Sequence, residues 1–174
     1  MTSRLNRWLE QVQEEIIDPK RPIIDPHHHI WRTKDTIGHA RENYELAEFW
    51  SDTDSGHNII GTVFIECGTS YLSEGSKSMK PVGETEYIST IAKTSLQNAS
   101  MGRPPILGIV GHVDLQLGSA ISEVIAAHIE AGEGLFRGIR HSTTYYPNPP
   151  IAGRYAGRVE HLMMQTDFRS GFAL

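Results

Sequence analysis

Hydrophobic positions recur along this chain in two rhythms. Leu5, Trp8, Leu9, Val12 and Ile16 return at helical spacing among polar residues, which predicts an amphipathic helix of about four turns. Thr2 or Ser3 starts it and Asp18-Pro19 stops it. Short apolar runs then alternate with further helical stretches. Ile23–Asp25 reads as a first strand, and Tyr44–Asp52, with Leu46, Phe49 and Trp50, as a short helix. Ile59–Cys67 is almost wholly apolar and β-branched, the pattern of a strand buried on both faces of a parallel sheet. Gly83–Asn98 reads as a helix with Tyr87, Ile88, Ile91 and Leu96 on its apolar side. Pro104-Pro105 breaks the chain before a third buried strand, Ile106–Val113. Leu117–Ala131 is a helix carrying Ile121, Val124, Ile125 and Ile129, with a stop at Gly132. Phe136–His141 is a fourth strand, Arg154–Gln165 a further helix, and Gly171–Leu174 the opening turn of one more. Polar, Gly-, Ser- or Pro-rich loops fill 38–43, 55–58, 68–82 and 145–150.

A helix followed by four strand–helix units predicts an α/β domain, with parallel strands joined by right-handed crossovers and covered by helices. Residues 1–174 form one such domain. Four units make half of a (β/α)8 barrel, whose full length is about 250 residues. A doubly wound open sheet is the alternative. Against it, no Gly-rich phosphate loop follows the first strand; ligand-type residues stand there instead.

Composition narrows the function classes. The net charge of −5 offers no basic face for nucleic acid. No apolar run approaches the roughly 20 residues of a membrane span, and residues 1–15 are too polar for a signal peptide. A single cysteine, Cys67, leaves no disulfide framework, so a reducing cytoplasm is expected and Cys67 reads as a small buried hydrophobe. Asp52–Gly56 resembles a calcium loop only superficially, because the closing glutamate is missing.

The chemistry concentrates at the strand ends. Ile23-Ile24-Asp25-Pro26-His27-His28-His29-Ile30-Trp31 runs two β-branched residues straight into a histidine cluster. Side chains alternate along a strand, so His27 and His29 can point the same way and make half of a metal site, the alternative being a histidine cluster in a solvated loop. The second strand ends in Glu66, the third in His112 with Asp114, and the fourth in Arg140 with His141. In a parallel barrel the active site is built on that edge. Glu66 either faces the site or pairs with an arginine as a structural carboxylate. His112 either faces the site or is a core histidine bonded to backbone. Arg140 offers a fork for a substrate carboxylate, and period two forbids Arg140 and His141 from both pointing inward. His39, His57, His128 and His161 fall in turns or helices and read as surface residues.

Asp25–Trp31, Phe64–Cys67, Gly108–Leu115 and Phe136–His141 together resemble the amidohydrolase-related proteins. The likeness is to the branch of fuconolactonase-like and pyrone-dicarboxylate-lactonase-like hydrolases, and it extends from Trp8 to Leu174. The resemblance implies metal-assisted attack of water on a lactone, cyclic ester or amide carbonyl. It implies His27, His29 and Glu66 as ligands of a divalent cation, zinc or manganese, although some members hold no tightly bound metal. In such a site Arg140 is expected to hold the carboxylate of a small carboxylate or lactone substrate, with His112 and His141 lining the site. The proton-handling aspartate of such barrels comes from a later strand, past Leu174. The chain therefore reads as a fragment, inactive alone, whose open barrel edges invite self-association. A decarboxylase of the same superfamily and a catalytically dead interaction module are the alternatives.

Overall fold

A computed structural model describes residues 7–8, 11–12, 14–32, 42–147 and 158–174. Four parallel strands form one sheet: β1 (Ile23–His28), β2 (Ile59–Ile65), β3 (Ile106–His112) and β4 (Phe136–Arg140), in the order β1-β2-β3-β4. The α-helices are α1 (Leu46–Thr53), α2 (Val82–Gln97), α3 (Ile121–Ala131) and α4 (Thr166–Phe172). Strand and helix thus alternate as the hydrophobic pattern requires, and every strand presents its C-terminal end on the same edge.

Two hydrophobic clusters hold the layers together. Ile30, Phe49, Phe64, Ile88, Ala92, Ile106 and Ile109 pack α1 and α2 onto the sheet. Val113, Leu115, Ile121, Val124, Leu162 and Phe168 join the end of β3 to α3 and α4. α4 docks closely on the 3-10 segment Leu115–Ala120. A Cβ on Gly171 would stand 2.5 Å from the Leu115 carbonyl oxygen, so only glycine allows that approach.

Several expected elements differ. The N-terminal helix lies largely outside the described residues; Arg7 and Trp8 are helical, whereas 14–16 are irregular. β1 runs on to His28, three residues past its expected end. The helix expected from Leu117 starts at Ile121, because Gly118 takes φ 57° and ψ −130°, outside helical space. Of Arg154–Gln165, the segment 154–157 lies outside the described residues, and the remainder contains only the 3-10 turn Leu162–Met164. Gly171 closes a helix rather than opening one. The loops at 38–43 and 145–150 are described only in part, at 42–43 and 145–147, where the chain is irregular. β2 is not buried along its whole length: Ile60 is 49% exposed, while Phe64 is fully buried.

α2 buries a different face from the one its large apolar residues mark. Gly83, Glu84, Thr85, Ser89, Ala92 and Ser95 are buried with Ile88, and Leu96 is exposed. Small and polar side chains let the helix lie close to the sheet, and their polar atoms are largely bonded. Ser95 Oγ, for example, donates to the Ala92 carbonyl and accepts the Ile106 N–H.

Candidate active site

The end of β1 separates its three histidines by face. Asp25 Oδ1 accepts the His27 N–H at 3.0 Å, and Pro26 interrupts the ladder between Asp25 and His28. His27 is exposed and His29 half-buried, with their rings edge to face 5.0 Å apart. His29 Nδ1–H donates to the Ile65 carbonyl at 2.8 Å. That bond fixes the tautomer and leaves Nε2 with a bare lone pair. Burial lowers the pKa of His29, so the ring stays neutral over a wider range. His28 points the other way and is buried, stacked on Phe49 with centroids 4.3 Å apart. Its Nε2 meets Thr62 Oγ1 at 3.1 Å, and burial pushes its pKa down to about 4.

Glu66 and Arg140 find each other across β3. Arg140 Nε donates to Glu66 Oε1 at 2.8 Å, and Nη2 donates to the Glu66 backbone carbonyl. Glu66 fills both roles open to it: its carboxylate is paired with an arginine, and the residue lines the cavity of the edge. The expected set His27, His29 and Glu66 is not brought together, and no group of three His, Cys, Asp or Glu side chains is placed to share an ion among the described residues. Glu66 instead gives one carboxylate oxygen to the Arg140 guanidinium. The two imidazoles fit as a pair of ligands, with His29 Nε2 free and oriented, but the described residues supply no third donor, too few for a closed site.

His112 and His141 form a complementary pair. His112 Nδ1–H donates to the Arg140 carbonyl at 3.0 Å, so its Nε2 is bare. The Leu115 N–H donates to His141 Nδ1 at 3.0 Å, so a neutral His141 carries its proton on Nε2. The rings lie 5.5 Å apart. Burial lowers the pKa of His141 against the opposing pull of Asp114, whose Oδ1 is 3.7 Å from Nδ1. Both rings line a cavity of about 260 Å³ with Glu66, Tyr71, Ser142 and Arg158. His141, which follows β4, lines this cavity, and Arg140, the last residue of β4, bonds Glu66, which lines it too.

No family model, curated protein or solved structure matches this chain.

The remaining histidines split. His57 and His161 are exposed, and His39 lies outside the described residues. His128, expected on the surface, is fully buried instead. Its Nδ1 accepts from Thr85 Oγ1 at 2.8 Å, its Nε2–H donates to the His112 carbonyl at 3.1 Å, and its ring stacks on Phe136. The signal was present: Ile121, Val124 and His128 share one helical face, and all three are buried. His128 thereby pins the backbone that carries His112. Cys67 is half-buried, its Sγ donating to the Ile30 carbonyl, and burial pushes its thiol up to about 12.

Three residues of the edge escaped sequence reasoning. Tyr71 sits in a loop with no periodicity, and burial raises the pKa of its phenol. Arg158 donates to Ser142 Oγ and to its carbonyl. Glu84 reads as an ordinary first-turn helix acid but is 1% exposed.

Proposed function

We propose that this chain carries part of the active site of a hydrolase that opens lactones or related cyclic esters bearing a carboxylate. In this reading the four units belong to a (β/α)8 barrel of the amidohydrolase-related kind. The sequential strand order favours that over a doubly wound sheet, whose order reverses at the ligand crevice. The observation that carries the proposal is the His112–His141 pair, two rings lining one cavity on the strands' C-terminal edge, one with a bare Nε2 and the other with an Nε2–H.

Each group has a task. His112 Nε2 accepts a proton from water as that water attacks the carbonyl carbon. His141 Nε2–H donates a hydrogen bond to the carbonyl oxygen as negative charge develops there. The ring C–O bond then breaks, and the alkoxide takes the proton back to give a hydroxy acid. Arg158, on the cavity wall, supplies positive charge for the substrate carboxylate, and Arg140, held by Glu66 of that wall, adds to the field. His27 and His29 would be ligands of a divalent cation, zinc or manganese, completed by donors outside the described residues. Such a cation would polarise the carbonyl when bound.

Two measurements test the reading. The histidine ring nitrogen signals are followed while aldonolactones, pyrone lactones and, for comparison, simple amides are added. His112 and His141 should shift together with the lactones. Turnover is then measured with and without zinc or manganese, at protein concentrations where two copies can complete one barrel. His141→Phe should lower it about 100-fold, the order expected for one lost oxyanion donor. His27→Ala combined with His29→Ala should abolish any metal-dependent part. Silent ring signals together with unchanged turnover in both variants would sink the proposal.

A further inference from the structure

The β2–α2 turn is held by a carboxylate that does not line the cavity. Glu84, in the first turn of α2, is 1% exposed. Its Oε1 accepts the backbone N–H of Cys67 at 2.9 Å, Gly68 at 2.8 Å and Thr69 at 2.9 Å. Three successive amides on one oxygen form an anion-binding nest. Gly68, with φ 82°, supplies the left-handed step that lets the amides converge. Oε2 is buried too and meets no partner among the described residues. An isolated buried carboxylate is unfavourable, so the nest is the main compensation visible around this one.

The turn begins where the candidate site begins. Residue 65 gives its carbonyl to His29, and residue 66 gives a carboxylate oxygen and a carbonyl to Arg140. Residues 67–69 are the ones Glu84 holds. Without that anchor, three amides would lose their acceptor at the step where the chain leaves β2. Glu66 would then be fixed from the strand side alone.

We propose that Glu84 is a positioning residue: it anchors the β2–α2 turn and, through Glu66, sets the direction of the Arg140 guanidinium. The meaning of that direction for a substrate rests on the hydrolase reading, but the anchoring is testable without it.

Hydrogen exchange of backbone amides and of the Arg140 Nε–H is compared in the wild type, Glu84→Ala, Glu84→Gln and Ile88→Ala. Ile88 is buried on the same helix but makes no side-chain hydrogen bond, so its variant reports general destabilisation. In Glu84→Ala, exchange at residues 67–69 and at Arg140 Nε should rise about tenfold above the rise at Ile109 and Val110, the factor that one lost hydrogen bond is worth. Ile88→Ala should raise all of these together. Glu84→Gln keeps an acceptor oxygen without charge, and its selective rise should be smaller but in the same places. It decides the matter if the alanine variant does not fold. A uniform rise like that of Ile88→Ala, or an Arg140 Nε–H that is unaffected while 67–69 open, overturns the proposal. Activity is not a readout here, so failure of the hydrolase reading leaves the result interpretable.

Discussion

At the scale of single residues, His28 and Glu84 give the chain two opposed pH dependences. His28 is neutral when folded down to about 4 and takes up a proton at its ordinary 6.5 when unfolded. The unfolded state therefore binds more protons between these values, and stability falls as pH drops from 6.5 toward 4. Burial raises Glu84 from 4.5 to about 7 against the pull of its three amides. The folded state then holds the extra proton, and stability falls as pH rises from 4.5 to 7. Each contribution is about 3 kcal/mol across its window, and in the wild type the two oppose each other. His29, His128 and His141, also lowered by burial, add to the side of His28. Glu84→Gln removes the opposing arm. Its urea midpoint should climb more steeply with pH between 4.5 and 7 than that of the wild type. Parallel curves for the two proteins would show that Glu84 does not titrate in this range.

At the scale of elements, what the sequence made legible was periodicity, and what it hid was contact. β2 and β3 were readable because runs of β-branched residues favour strands over helices. The edge that gathers His29, Glu66, His112 and His141 was readable for the same reason, since parallel strands all end on one side. The Glu66–Arg140 pair was open as a possibility but not as a fact, because its members are 74 positions apart. The buried face of α2 was hidden because small and polar residues line it. The close docking of α4 was hidden too, since a glycine in sequence does not say what approaches it. That docking is testable. Gly171→Ala would force a methyl group against the Leu115 carbonyl at 2.5 Å and should cost about 1–3 kcal/mol. Gly138→Ala in β4, whose added methyl meets nothing within 4 Å, should be neutral or slightly stabilising. Denaturant melts of both variants read the difference, and equal midpoints would mean that α4 gives way without resistance.

At the scale of the whole molecule, the sheet order leaves β1 and β4 each with one strand neighbour among the described residues. Apolar side chains stand exposed near the N-terminal ends of three strands: Ile24 on β1, Ile60 on β2 and Leu107 on β3, at 53, 49 and 41%. Unpaired backbone beside an exposed β-branched residue, as at Ile24 on β1, is the usual template for strand pairing between chains. Protection on β1 is slight. Pro26 removes one donor, and one Asp25 carboxylate oxygen is taken up by the His27 N–H. No helix of the described residues is long and apolar enough to cross a membrane, so a bilayer-spanning helix among them does not explain these side chains. The chain should therefore self-associate reversibly through this surface. Sedimentation velocity over a dilution series should show the mean mass rising with concentration. Ile24→Lys puts a charge on the β1 edge without entering either hydrophobic cluster, so it should hold the protein at monomer mass with its melting midpoint unchanged. A wild type that stays monomeric at every concentration would show that the edges are closed by something other than a second copy. A lysine variant that associates as before would move the contact away from β1, to the β4 side of the sheet.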